Sequence, residues 1–240
     1  MMERSLLQRS LPALAISLLI AGTIFLAFVE VGFGEAKVDE KDSVSNRYIA
    51  NGTEETGSSN LVTSVVVNYR GFDTLGEVTV LFLAATGVGA LISMLPDDKK
   101  KRKGPAPSLI MAYGGAVTIP LIALFGVYVF LHGHLSPGGG FQGGVIIATA
   151  FLLFLIIRPD RSTPHGALSL FESLAGLSFV GLGLIGLAVS GIFLDNVIAG
   201  FGNLGDLVSG GLLPLIYIAI GVKVGSELSG VVHSMRGDAP

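Results

Sequence analysis

The sequence predicts an all-α, polytopic membrane protein of about six transmembrane helices with both termini on the cytoplasmic side. Three observations carry this. Half of the 240 residues are hydrophobic and only 14% are charged, with a mean hydropathy of +0.71, whereas a soluble domain carries about 25% charged residues. The hydrophobic residues fall in long runs of a length that crosses a hydrocarbon core of about 30 Å. The basic residues gather at every second boundary between those runs, as they do at the cytoplasmic ends of spans. The net charge of −3 excludes nothing by itself, and the absence of cysteine excludes disulfides and thiolate metal sites. Many of the 34 glycines lie inside the apolar runs, where small residues let membrane helices approach closely.

Arg4 and Arg9 precede the run Leu11–Val29. This run is longer than the core of a signal peptide and has no small-x-small cleavage site, so it reads as an uncleaved first span. Residues 30–60 are polar and acid-rich, with Gly52, Gly57, Ser58 and Ser59, and read as an irregular solvated loop. Asn51-Gly52-Thr53 matches a glycosylation acceptor, which matters only if the loop is extracellular. Leu61–Asn68 is apolar and β-branched but too short to span. Val78–Leu95 is the second span, Pro96 ends it, and Lys99–Lys103 follows. Gly104-Pro105-Ala106-Pro107 reads as a linker. It divides the chain into a two-helix segment, 1–103, with an external loop at about 30–74, and a four-helix domain, 104–240.

Leu109–Leu131 is the third span. Val145–Ile157 is short for a membrane core, so the fourth span must recruit residues from Phe141 onward. Leu168–Leu194 gives the fifth, Asp195–Ser209 a loop, and Gly211–Val232 the sixth. With the N-terminus inside, Arg4, Arg9, Lys99–Lys103, Arg158, Arg161 and Arg236 all fall inside. The loops at 133–144 and 195–209, which lack Lys and Arg, fall outside. The lysine run is then a topology determinant and a contact for anionic lipid or a partner, not a nucleic-acid site.

Charge at membrane depth is costly and usually faces a bundle interior or a water path. Lys223 and Glu227 sit one turn apart inside the sixth span, on a different face from Gly221 and Gly225. They form either part of a buried proton or cation path or a structural ion pair between helices. Asp73 and Glu77 stand one turn apart at the start of the second span. Asp73 suits the positive end of a helix dipole, and Glu77 lies deeper. Glu172 enters the fifth span, either at the interface or in an ion path. His132 and His134 flank Gly133; two residues apart they share no helix face, and no further ligands stand at metal-site spacing. A proton-relaying or turn-bonding role fits them better.

Between the third and fourth spans runs His132-Gly133-His134-Leu135-Ser136-Pro137-Gly138-Gly139-Gly140-Phe141-Gln142-Gly143-Gly144. Gly138, Gly140 and Gly143 spell G-x-G-x-x-G, but a dinucleotide loop needs a strand before it and an amphipathic helix after it, and neither is present. The stretch reads as a tight turn at a membrane surface, with backbone open to close approach.

This turn, with the helices after about Leu109, resembles the B subunit of Mrp-type multisubunit Na⁺/H⁺ antiporters. The string Tyr69-Arg70-Gly71-Phe72-Asp73-Thr74-Leu75-Gly76-Glu77 is similar to the C-terminal part of the A subunit of the same complexes. The chain looks like the two joined, near residues 104–108. Similar modules occur in archaeal membrane-bound hydrogenase and sulfur-reducing respiratory complexes. The resemblance implies a non-catalytic membrane subunit that helps couple Na⁺ and H⁺ translocation, binds no cofactor of its own, and sits in the plasma membrane beside other antiporter subunits, either in an Mrp antiporter or in a Complex I-related respiratory complex with a redox arm. It carries Glu77 over as an ion-path residue, and Pro137, Gly138, Gly139, Gly140 and Phe141 as the turn motif. The alternative role is an adaptor that fastens antiporter and redox modules without conducting ions.

Overall fold

The computed structural model describes residues 15–26, 29, 43–94, 107–158 and 165–235. The basic residues Arg4, Arg9, Lys99–Lys103, Arg161 and Arg236, residues 30–42 and most of the linker lie outside these. The described residues are helical and contain no strand. The chain clusters into two compact units, 1–46 and 47–240. The first contains α1 (Ala15–Leu26), apolar but, as described, shorter than a span.

The second unit holds five helices long and apolar enough to cross a membrane: α3 (Gly71–Ser93), α4 (Leu109–Leu131), α5 (Gly140–Ile157), α6 (His165–Ser190) and α7 (Leu213–Met235). α5 does recruit the residues before Val145, beginning at Gly140. α3 starts seven residues before the expected Val78, so Asp73 and Glu77 both lie within it. α6 stops at Ser190, short of the expected Leu194, because Gly191 adopts φ +81°.

The stretch 30–60 departs from the expected irregular loop. α2 (Val44–Thr56) runs through it, and Ser43 Oγ accepts from the Asn46 amide at its start. Gly52 permits this: it is buried, and a Cβ there would come within 3.0 Å of Leu61 Cδ2. Its role is close approach rather than chain breaking. Asn60 then caps a single α-turn, Leu61–Thr63, which widens into a π-helix, Ser64–Tyr69. The Arg70 amide donates to Val65 O, five residues back, at 2.8 Å. The extra carbonyl at Val66 accepts from Thr74 Oγ1 at 2.6 Å. π-Helical turns concentrate at functional sites.

α7 is the hub. It packs against α3, α4, α5 and α6, and 61% of its most apolar window is enclosed, against 6% for α3. Leu213, Ile216, Ile220 and Val224 follow helical spacing and form its buried stripe with Phe179 of α6. Gly221 of α7 faces Phe130 of α4, and Gly225 faces Gly144 of α5, so the expected glycine face is a packing face. Large apolar side chains such as Leu83, Ile110, Leu124 and Leu177 are exposed, as suits a surface bathed in lipid or covered by neighbouring membrane subunits.

Candidate functional site

Two polar assemblies are built on this bundle. The first lies within the membrane-spanning part. Lys223 follows Leu213 by ten residues, about 15 Å along α7. Its Nζ donates to Glu172 Oε1 of α6 at 3.0 Å and pairs with Glu227 Oε2, one turn further along α7, also at 3.0 Å. The ammonium lies 4.9 Å from the ring centre of Phe82 on α3, within cation–π range. The lysine stem passes over Gly176 of α6, where a Cβ would sit 3.7 Å from Cε. Three helices thus converge on one amine. Lys223 is 7% and Glu227 3% exposed, while Glu172 is partly open. Among the described residues nothing hydrogen-bonds Glu227 Oε1.

The second assembly caps one end of the bundle, where α3 begins, α4 ends and the 131–140 turn lies. Segment 58–63 grips that turn. Ser58 Oγ donates to His134 O at 2.8 Å, and Asn60 Nδ2 donates to Gly133 O and Ser136 O at 2.9 Å each. Asn196, in the loop before α7, joins four segments. Its amide donates to Asn68 Oδ1, its Nδ2 to Thr56 O and Gly210 O, and its Oδ1 accepts from Leu212 N, all at 2.8–2.9 Å. The neighbouring Leu194 holds φ +61°, is fully buried, and packs on Gly71, where a Cβ would approach Leu194 Cβ to 2.9 Å.

The turn motif divides its labour. Pro137 is exposed at the apex and Phe141 is half-buried against the core. Gly138 and Gly139 have φ of +157° and +148°, conformations that suit glycine. At Gly140 a Cβ would fall 2.6 Å from Ile220 Cβ, and at Gly144 2.7 Å from Val224 Cβ. The glycines therefore set how closely α5 approaches α7.

The histidines part company. His132 stacks on Tyr128, with ring centres 4.1 Å apart. His134 is fully buried, its Nε2 3.5 Å from Asp206 O and its Nδ1 without a hydrogen-bond partner among the described residues. Burial holds its imidazole below the ordinary value of 6.5, against the opposing pull of the Asp206 carbonyl. Neither histidine joins the Lys223 cluster.

Most of the string at 70–77 is used within the chain. Arg70 pairs with Asp73, Gly71 seats Leu194, Phe72 meets Phe193 edge-on at 5.9 Å, and Thr74 bonds Val66. Gly76 and Glu77 are not. Glu77 is exposed on α3 and a Cβ on Gly76 would meet nothing. Asp73 and Glu77 are thus separated in role: Asp73 is a helix-start acid with an arginine partner, and Glu77 presents a carboxylate on an open helix face. Sequence reasoning missed Asn196, Tyr217, Thr63 and Phe82, none of which stands in a recognisable motif.

Residues 110–230 match the family described as "Domain related to MnhB subunit of Na+/H+ antiporter". The chain belongs to this MnhB-related family. Ahead of that match, residues 9–101 of this MnhB-related chain match the MbhE family, described as a subunit of MBH. An uncharacterized protein of Methanocaldococcus jannaschii is 31% identical to it, over 71% of the MnhB-related chain and 74% of that protein. Among solved structures, a chain of the membrane-bound sulfane sulfur reductase, an archaeal respiratory membrane complex, aligns at TM-score 0.73 and 45% identity, covering 95% and 98% of the two chains. A chain of the Mrp complex from Dietzia sp. DQ12-45-1b aligns at TM-score 0.68 and 25% identity, covering 94% of the MnhB-related chain and 26% of the other.

Proposed function

We propose that this MnhB-related chain is a non-catalytic membrane subunit of a multisubunit cation/proton antiporter module, and that it helps couple Na⁺ and H⁺ translocation. The module belongs to an Mrp-type antiporter or to a respiratory complex related to the sulfane sulfur reductase, where other antiporter subunits, and in the second case a redox arm, are its neighbours. Sodium and protons are cargo rather than resident cofactors. The plasma membrane is its site, with both termini cytoplasmic and a division into an A-like part, 1–103, and a B-like part, 104–240.

The observation that carries this reading is Lys223 held between Glu172 and Glu227 inside the helix bundle, joining α6 to α7 under the Phe82 ring of α3. Buried charge is retained where it lines ion paths or locks helices. Glu77, on the open face of α3, adds an acid that a neighbouring subunit would meet. The test is Na⁺-dependent proton movement in vesicles that carry the reconstituted complex. Glu77→Gln should abolish it while the complex still assembles, and neutralising Glu172, Lys223 and Glu227 together should do the same. Intact transport in both variants would leave the adaptor role in place of the coupling one.

A further inference from the structure

The buried charges of the bundle do not balance. Lys223 supplies one positive charge, while Glu172 and Glu227 would supply two negative ones if both were ionised. Each carboxylate lies 3.0 Å from the same ammonium. Among the described residues, the helices packed against α7 contain no Lys or Arg to neutralise the remainder. α4 and α5 carry no Asp, Glu, Lys, Arg or His. α6 adds only His165, at its start. α3 adds Asp73 and Glu77, in its first two turns, which are acids and offset no negative charge, and offers Phe82 at the cluster itself. On α7 there remains His233, six residues past Glu227 and about 240° round the helix from it at 100° per residue.

A carboxylate with no compensating charge in a low-dielectric setting resolves its cost by taking up a proton. Two observations select Glu227 for this. Its side chain is 2% exposed, whereas the Glu172 side chain is 28% exposed. And its Oε1 lies buried with no hydrogen-bond partner among the described residues.

We propose that Glu227 holds one exchangeable proton, so that the Glu172–Lys223–Glu227 cluster alternates between net charges of 0 and −1, and that the proton is the ion this site takes. The step is uptake of H⁺ by the Glu227 carboxylate to give the neutral acid, after which the ammonium pairs with Glu172 alone; release reverses it. Sodium does not suit the place. A hard cation needs a shell of several oxygen ligands, and here an ammonium already lies between the carboxylates and repels a second cation. Among the described residues no three His, Asp or Glu side chains are grouped to hold a metal ion. The inference rests on the coupling role only for the use made of the proton.

The experiment is infrared difference spectroscopy of the purified whole complex across a pH step, with and without added sodium chloride. The wild type should show a protonated-carboxyl band on acidification that is missing from Glu227→Gln, appears only at lower pH in Glu172→Gln, where the ammonium faces Glu227 alone, and is unaffected by sodium. A Glu227→Gln spectrum identical to the wild type, or a band bleached by sodium, would overturn the proposal. If Glu227→Gln does not assemble, Lys223→Met decides. Loss of the ammonium should raise the protonated-carboxyl signal about two-fold as the second acid is neutralised too, and an unchanged signal overturns the proposal. The spectrum reads binding at equilibrium and the vesicle assay reads coupling, so the band can be present in a complex whose transport ignores Glu227, and each idea fails by itself.

Discussion

Tyr217 of α7 donates its hydroxyl hydrogen to Thr63 Oγ1 at 2.7 Å across 154 residues of sequence, and Thr63 donates its own to Gly133 O at 2.7 Å. This two-bond chain ties the hub helix, the segment before the π-helix and the glycine turn at one point. The tyrosine ring also covers the turn: Cβ atoms built on Gly133 and Gly139 would lie 3.0–3.1 Å from its edge.

Tyr217→Phe keeps the ring and deletes one hydrogen bond. The expected cost is about 1 kcal/mol, since Thr63 keeps its bond to Gly133. Tyr217→Ala removes the cover as well and should cost about 3–5 kcal/mol, as for other large aromatics. Thermal dissociation of the detergent-solubilised complex, followed by the loss of this subunit, checks both, and equal effects would refute a separate role for the ring.

Gly140→Val and Gly144→Val should separate α5 from α7, because even a first carbon meets Ile220 or Val224 at 2.6–2.7 Å. Overpacking of this kind costs about 1–3 kcal/mol and occasionally more. Gly76→Ala and Gly87→Ala, where nothing lies within 4 Å, should leave the subunit itself folded. Limited proteolysis of each variant should show the first pair nicked and the second pair resistant.

Removing the Lys223 ammonium leaves two carboxylates together at membrane depth. Lys223→Met is expected to destabilise the subunit by about 3–5 kcal/mol, the cost of breaking a buried pair from one side. The double variant Lys223→Met/Glu227→Gln should cost less than the sum of the two single changes. Additive single effects, measured by chemical denaturation in detergent, would show that the two side chains are not coupled.

His134 makes the capped end sensitive to acid. Above the ordinary value of 6.5 the imidazole is neutral in both the folded and unfolded chain, so pH has no leverage through it. Below that value the unfolded chain takes a proton that the buried ring resists, so stability falls as pH falls. The protection factors of the 133–136 and 206–210 amides, exchange rates divided by the intrinsic rate at each pH, should be lower at pH about 5.5 than at about 7.5. His134→Gln should flatten that difference, and His132→Gln should not.

Asn196→Ala removes three side-chain bonds and leaves the buried carbonyl of Thr56 and the amide of Leu212 each short of a partner, while Gly210 O keeps its bond from the Leu213 amide. Each such orphan costs about 1–3 kcal/mol. The 195–212 loop should become protease-sensitive while α4 and α5 stay paired. An unchanged cleavage pattern would show that the loop is held by packing alone.

What was legible in the sequence follows from how local each signal is. Apolar runs are local, so α4 and the body of α5 could be drawn from the chain within a few residues. Lys223 and Glu227 are one helical turn apart, so their pairing follows from helix geometry. Glu172 joins them from another helix, and that requires knowing that α6 lies against α7, which no spacing reveals. Asn196 shows the limit most clearly. It stands in an unremarkable loop, and its four partners lie at 56, 68, 210 and 212. α2 was hidden for a different reason. Gly52 is a breaker by propensity, and only its burial against Leu61 and Ser64 turns it into a contact point.

The order in which α7 meets its neighbours has a consequence for biogenesis. α4 and α5 follow one another and can associate as soon as both are inserted, but α3 and α6 pack chiefly on α7, which the ribosome makes after all of them. Assembly must therefore wait on a late arrival, with α3 and α6 held in the bilayer until it comes. Such a delay suits co-insertion with sister subunits or a membrane chaperone, and it makes truncation upstream of Leu213 far more damaging than the loss of a single helix would suggest.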